Sequence, residues 1–168
     1  MDSYVFQCAG SPPQWALQSV TGQQHFPNNL FVTAAYNNAT TTFSNVTGMS
    51  FPAAANHSYT LSCQLVFQAS AATSGPKFQV TGPASPTSVA LAVDGGTAAA
   101  GYANGAAVAF SSAVTAIGAA TMTTATNFVA HVNLGVVNGP NAGTVALQAA
   151  ANGVGTLTIQ PGSFCIQQ

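Results

Sequence analysis

The chain has 168 residues, of which 48% are hydrophobic, and it carries one basic residue, Lys77, and two acidic ones, Asp2 and Asp94. Charged residues make up 2% of the chain, against about 25% in an ordinary globular domain. This composition excludes a basic nucleic-acid-binding surface and argues against hydrolysis by paired carboxylates. It is equally unlike the hydrophilic, highly charged composition of disordered chains.

Residues 1–40 differ from the rest of the chain, because prolines, glycines and the pair Asn28-Asn29 interrupt any regular element. We interpret them as an N-terminal arm with short or irregular strands. The alternative is an ordinary first strand with long connections, since Leu30, Val32, Ala34 and Tyr36 alternate with other residues.

From residue 41 the hydrophobic period is two, which is typical of half-buried strands. A turn is predicted at 45–48, between Phe43 and the pair Met49 and Phe51. The clearest strand follows, with Val66 as the exception to its alternation. Its predicted inward residues are Tyr59, Leu61, Cys63, Leu65 and Phe67.

Six further strands are predicted, separated by turns that contain Gly, Pro or Asn. Asp94-Gly95-Gly96 is expected to close one of them. The apolar residues that mark these strands are Phe78 and Val80; Val89, Leu91 and Val93; Phe128, Ala130, Val132, Leu134 and Val136; Val145, Leu147 and Ala149; Leu157 and Ile159; and Phe164 and Ile166.

Residues 97–126 are rich in Ala, Gly, Thr and Ser. The alanine content would suit a helix, but the Thr and Gly content and the alternation of Val108 and Phe110 favour small-residue strands and loops. Short strands with turns every 8–12 residues indicate a sandwich or barrel. We therefore predict an all-β fold, an antiparallel β-sandwich of jelly-roll type over residues 41–168.

Few residues are candidates for chemistry. His25, His57 and His131 have no metal-ligand spacing, and nothing in the sequence places Asp2 or Asp94 beside a histidine. No nucleophile elbow or phosphate-binding loop is present. We expect no catalytic, cofactor-binding or metal-binding residue, and no enzyme activity.

The three cysteines are Cys8, Cys63 and Cys165, and no C-x-x-C pair occurs. Cys63 lies on the inward face of its predicted strand, which favours a buried free thiol. A Cys8–Cys165 bridge is the alternative.

The segment Met49-Ser50-Phe51-Pro52-Ala53-Ala54-Ala55-Asn56-His57-Ser58-Tyr59 resembles a pattern in small β domains of tailed-bacteriophage virion proteins. The alternating strand that follows it, the strand ending in Gly82-Pro83, Gly143-Thr144-Val145 and Pro161-Gly162-Ser163 extend the resemblance over about residues 43–166. It differs from such domains in its low charge and in the missing arginine or lysine of the last strands. The resemblance implies a jelly roll that is commonly trimeric and occurs in capsid cement (decoration) proteins and in tail-fibre or spike tips.

A net charge near zero removes the repulsion that keeps free monomers apart. We therefore expect a protein packed against copies of itself or a larger assembly, although a secreted polar β domain has similar composition. No stretch of 18 apolar residues predicts a membrane-spanning helix, and the N-terminus does not predict a secretory signal.

The preferred hypothesis is a bacteriophage capsid cement protein, a homotrimer on the outer capsid surface of the virion, made in the bacterial host cytoplasm. Its partner is the major capsid protein, without nucleic acid or membrane, and about 40 residues suffice for an arm but not for a fibre shaft. Alternatives are a head-fibre or tail-fibre tip that binds host glycans and a secreted carbohydrate-binding module. The candidate glycan-stacking aromatics are Tyr4, Trp15, Tyr36 and Tyr102.

Overall fold

The computed structural model describes residues 3–9, 14–21, 28–98 and 101–168, and within these ranges the chain is all β, without a helix. All strand pairs are antiparallel. The strands are β1 (Ser3–Ala9), β2 (Gln14–Thr21), β3 (Asn28–Phe31), β4 (Tyr36–Asn38), β5 (Ser44–Ala53), β6 (Ser58–Ala69), β7 (Pro76–Thr81), β8 (Ser88–Gly96), β9 (Tyr102–Ala107), β10 (Phe128–Val137), β11 (Gly143–Ala151), β12 (Leu157–Ile159) and β13 (Phe164–Gln167).

Two of the sheets pack against each other. The large sheet has eight strands, in the order β3-β13-β6-β10-β8-β9, with β12 pairing both β4 and β6. The small sheet has the order β5-β11-β7. The prediction of an antiparallel β-sandwich is therefore confirmed, whereas its jelly-roll type stays a prediction.

The core lies between the inner faces of these two sheets, as alternation requires. The large sheet contributes the inward residues of its long central strands, including Leu65, Phe67 and Val132, which are fully buried. The small sheet contributes Phe78 and Leu147 from the opposite side. The predicted inward faces of β6, β7, β8, β10, β11 and β12 are thus confirmed, apart from the half-buried Tyr59 and Phe128.

The first 40 residues contribute three pieces of sheet. Strands β1 and β2 pair as a separate two-stranded sheet. Strand β3 pairs with β13 and β4 pairs with β12, so both join the large sheet. The large sheet therefore begins at residue 28, inside the range that the sequence assigned to the arm.

The predicted turn at 45–48 is wrong, because these residues lie inside the ten-residue strand β5. The register opposite β11 shifts between Asn45 and Ser50, which marks a bulge. Gly48, with φ +86°, lies at this bulge, where a Cβ would overlap the carbonyl oxygen of Phe31. The turn-forming residues therefore produce a bulge within β5 and do not end the strand.

Strand β13 has the opposite phase from the one its apolar residues predict. Cys165 and Gln167 are buried, whereas Phe164 and Ile166 are half-exposed on the outer face. A shift of one residue exchanges the two faces of a strand. Here the inward position belongs to Cys165 because it is bonded to a residue of the core.

Residues 108–127 form turns rather than a continuation of β9. Phe78 and Val114 exchange backbone hydrogen bonds, so this connection covers the edge of β7. Val108 is 82% exposed, while Ile117 and Met122 are buried in the core. The prediction of strands and loops is confirmed over 97–98 and 101–126, while residues 99 and 100 lie outside the described residues; the alternation of Val108 and Phe110 does not mark a strand.

Candidate functional site

The outer face of the large sheet carries one continuous row of side chains, which we call the cross-sheet row. Each residue is the direct register partner of the next, from the edge strand β9 to the edge strand β3. Directly opposed residues on paired strands project to the same face. The row consists of Asn104, Asp94, His131, Gln64, Phe164 and Phe31.

Three polar side chains meet at the β9 end of this row. His131 Nδ1 lies 3.6 Å from Asp94 Oδ2, and the hydroxyl of Tyr102 donates a hydrogen bond to the same oxygen. The side chains of His131 and Asp94 are 46% and 30% exposed, so water screens the pair. The sequence alone does not place Asp94 beside a histidine, whereas the pairing of β8 with β10 does.

The sequence missed this cluster because Asp94 was assigned to a turn. Strand β8 instead continues through Gly95 to Gly96, and Asp94 projects outward beside His131 of β10. A Cβ at Gly95 would crowd the carbonyl oxygen of Val129 and a methyl group of Ile117. Gly95 therefore allows the chain to pack closely here. The signal in the sequence that could have revealed this cluster is the alternation along β8, which puts Asp94 on the face opposite to that of the buried Val93.

The candidate aromatic residues differ in what they offer to a ligand. Tyr102 is 62% exposed. Tyr36 is buried, and its hydroxyl donates to the carbonyl of Ala149 at 2.7 Å, so its role is structural. The side chains of Tyr4 and Trp15 lie outside the described residues. The row adds two aromatic residues, Phe31 and Phe164, that were not among the predicted candidates for stacking on a sugar.

The outer face of the small sheet carries a chain of side-chain amides, which we call the amide ladder. Gln79 Nε2 donates to Gln148 Oε1 at 2.6 Å, and Gln148 Nε2 donates to Asn45 Oδ1 at 2.7 Å. The three residues are register partners on β7, β11 and β5. Their mutual hydrogen bonds hold the three amides in one arrangement, on the face from which Lys77 also projects.

The single lysine has partners within its own domain. Lys77 Nζ donates to the carbonyl of Thr41 at 3.0 Å and lies 5.1 Å from the centre of the Phe43 ring. A cation near an aromatic face is attracted by the ring quadrupole. The one basic side chain is thus held against neighbouring groups.

The cysteines form a bond that the sequence did not predict. Cys63 and Cys165 are joined by a disulfide, and both are buried. The prediction of a free thiol at Cys63 is therefore wrong, and so is the alternative bridge between Cys8 and Cys165. The side chain of Cys8 lies outside the described residues.

The remaining ionisable residues are dispersed. His57 is exposed in the turn between β5 and β6, and its ring centre lies 6.5 Å from that of Tyr59. Asp2 and His25 lie outside the described residues. Among those described, no group of three or more His, Cys, Asp or Glu residues is placed to hold a metal ion.

Two hollows on the surface are shallow. The larger, of about 640 Å³, lies between β5 and the start of β11 and includes Tyr59, whose hydroxyl accepts a hydrogen bond from the amide of Ala54. The smaller, of about 360 Å³, is lined by small and polar residues such as Gln68 and Thr158. Neither is lined by a carboxylate, imidazole, thiol or amine. Their linings do not provide an acid–base pair.

No protein-family model matches the chain, and no curated protein matches it either. Within the described ranges there is also no helix with the length and apolar character needed to span a membrane.

Proposed function

We propose that this chain is a structural virion protein, a cement (decoration) protein that binds the outer capsid shell of a bacteriophage as a homotrimer and stabilises it. The observation that carries the proposal is the composition of the sheet faces. In the described part of the chain, Asp94 and Lys77 are the charged side chains apart from histidine, and each already contacts a neighbour. Histidines apart, the rest of the described surface consists of uncharged groups, namely amides, hydroxyls, methyls and aromatic rings such as those of Tyr102 and Phe31.

An uncharged surface favours close packing between subunits. Burial of an unpaired charge costs far more free energy than burial of an amide that keeps its hydrogen bonds. The amide ladder already satisfies part of its own hydrogen bonding through Gln148. We assign this face of the small sheet to contact with the major capsid protein.

The N-terminal hairpin is the second proposed contact. Strands β1 and β2 pair with each other through residues 3–9 and 14–21, and a hairpin can add its outer strand to the sheet edge of another protein. In this role the hairpin joins neighbouring capsid subunits and resists the outward pressure of packaged DNA. The mechanism needs no nucleic acid, membrane or catalytic step, and it places the protein on the outer capsid surface.

Light scattering of the purified protein and co-sedimentation with undecorated capsids test the proposal. We expect the mass of a trimer and saturable binding to capsids. Deletion of residues 1–27 should abolish capsid binding and leave the trimer folded, because β3 begins at Asn28. A freely diffusing monomer at high concentration, or unchanged capsid occupancy after the deletion, contradicts the proposal.

Matched charge substitutions test which sheet face is used. Gln148→Lys places a cation in the amide ladder, and Asn133→Lys places one on the outer face of the large sheet, where Asn133 is exposed. We expect the first variant to lose capsid binding and the second to keep it. Equal binding by both variants argues against the small sheet as the contact face.

The disulfide favours a second candidate function, that of a secreted carbohydrate-binding module. Disulfides persist in oxidising compartments and are rare in the cytoplasm. A cement protein with the Cys63–Cys165 bond would acquire it after release of the virion. Copurification of the protein with virions at hundreds of copies supports the cement protein, a few tens support a head fibre or tail-fibre tip, and recovery only from the medium without virions supports the secreted module.

A further inference from the structure

We propose that the cross-sheet row binds a neutral, linear oligosaccharide that lies across the strands of the large sheet. The site consists of Tyr102 together with the six residues of the row. This proposal goes beyond capsid binding and does not rest on it, because capsid contact is assigned to the opposite sheet.

The proposed site has aromatic side chains at both ends. Tyr102 is 62% exposed, and its hydrogen bond to Asp94 holds the ring at the β9 end. Phe31 is 49% exposed at the β3 end, beside the half-exposed Phe164. An aromatic ring held on a polar surface offers its face to the C–H groups of a sugar ring.

The centre of the row offers hydrogen-bonding groups of both kinds. Tyr102 and His131 both contact Oδ2 of Asp94, and within the described residues no hydrogen bond reaches Oδ1. A carboxylate oxygen accepts from sugar hydroxyls, while the amides of Gln64 and Asn104 both donate and accept. A ligand with many hydroxyl groups matches this alternation of donors and acceptors.

The dimensions of the row favour a chain over a single sugar. Its six residues lie on six strands that are neighbours in the sheet. Neighbouring strands are about 4.8 Å apart, so the five steps span roughly 24 Å. This is the length of an oligosaccharide of several units, which would place a sugar ring against the aromatic residues at each end.

The charges on this face favour a neutral ligand. The row carries one carboxylate, that of Asp94, whereas Lys77 projects from the small sheet. An acidic polysaccharide or a nucleic acid would find no lysine or arginine here and would face Asp94. A polyhydroxyl chain without charge meets no such repulsion.

Isothermal titration of the full-length protein tests the proposal, with four probes. These are the neutral hexasaccharides of β-1,4-linked glucose, β-1,4-linked N-acetylglucosamine and α-1,6-linked mannose, and hexagalacturonate as the acidic probe. We expect at least one neutral hexasaccharide to bind, with its disaccharide and hexagalacturonate at least tenfold weaker. Absence of binding by all three neutral probes at millimolar concentration overturns the proposal.

Paired variants locate the site. Tyr102→Ala and His131→Ala should each weaken binding at least tenfold, whereas Val108→Ala and His57→Ala, which alter exposed residues outside the row, should not change it. Tyr102→Phe keeps the ring and loses the hydrogen bond to Asp94, so we expect a smaller loss. Equal effects of row and control variants overturn the proposal.

Two further readouts separate this site from self-association and from capsid binding. Both Tyr102→Ala and His131→Ala should keep the mass of the parent protein in light scattering, and both should still co-sediment with capsids. A change of mass in Tyr102→Ala without ligand would identify the row as an interface between copies and overturn the proposal. If Tyr102→Ala and His131→Ala lose sugar binding and keep capsid binding, both proposals stand, and the assignment of the two functions to different faces is supported.

Discussion

Cys63 and Cys165 are direct register partners on β6 and β13, and their disulfide joins the longest strand of the large sheet to the last strand of the chain. The bond closes a loop of 102 residues in sequence separation. It therefore links two neighbouring strands of the large sheet that are separated by most of the domain's sequence.

Removal of this disulfide should destabilise the domain strongly. In the chain-entropy description, a loop of about 100 residues contributes about 4.7 kcal/mol, and measured losses are typically 2–5 kcal/mol. We expect the double variant Cys63→Ala, Cys165→Ala to lose free energy of unfolding in that range, measured by urea denaturation. Peptide mapping without reductant should recover a peptide pair containing residues 63 and 165, and a bridge from Cys8 to either would contradict the structure.

Two glycines with the same positive φ allow the cost of steric crowding to be measured apart from the cost of backbone strain. Gly48 and Gly162 both have φ +86°, but a Cβ at Gly48 would overlap the carbonyl oxygen of Phe31, and a Cβ at Gly162 has no atom within 4 Å. We expect Gly162→Ala to cost about 1–2 kcal/mol, the cost of a left-handed conformation. Gly48→Ala should cost clearly more, because β3 must move. Similar losses of unfolding free energy for both variants would show that β3 yields without cost.

The buried hydrogen bonds of Asn38 and Tyr36 should not contribute equally. Asn38 Nδ2 donates to the carbonyls of Thr42 and Ala149, and its Oδ1 accepts from the amide of Thr40, so one side chain orders the whole connection to β5. Tyr36 donates to Ala149 as well. We expect Tyr36→Phe to cost about 1 kcal/mol and Asn38→Ala about 2–3 kcal/mol, since several groups lose partners. Chemical denaturation measures both, and a larger loss for Tyr36→Phe would refute this ranking.

Gln167 offers a site for stabilisation. Its side chain is buried, and among the described residues its Oε1 has no hydrogen-bond partner. Replacement of an unsatisfied buried amide by an apolar side chain of similar shape removes a desolvation cost of about 1–3 kcal/mol. We expect Gln167→Met to raise the melting temperature and the neighbouring, exposed Gln168→Met to leave it unchanged. A lower melting temperature for Gln167→Met would mean that Oε1 has a partner in the folded protein.

The regular strands could be predicted because their signal is local. In β6 and β10 every second residue is apolar over about ten positions, and both strands lie in the middle of the large sheet with one face in the core. Successive side chains of a strand point to opposite faces, so a strand with one face in the core has apolar residues at every second position. The sandwich followed from the number of such strands.

Local signals failed where a distant strand decides the conformation. Asn45 and Gly48 are turn-forming residues, yet β11 and β3 hold them in a bulged strand. Phe164 and Ile166 are the more hydrophobic residues of β13, yet the bond between Cys63 and Cys165 directs them outward. In both cases contacts made far away in the sequence outweighed local preference.

The candidate sites depend on register more than on composition. Asp94 and His131 are 37 positions apart in the numbering, and only the pairing of β8 with β10 brings them together. The amide ladder and the cross-sheet row arise in the same way, since each combines residues from three or more strands.

The sequence by itself determined the regular strands such as β6 and β10, the buried faces of these strands and the near absence of charge, because each of these properties is carried by neighbouring residues or by the composition. The tertiary structure alone decided which strands pair and in what register. Hydrogen bonds between strands join residues that are tens of positions apart, and no local pattern encodes that offset. The disulfide, the bulge at Gly48 and the side chains presented on each sheet face all follow from it.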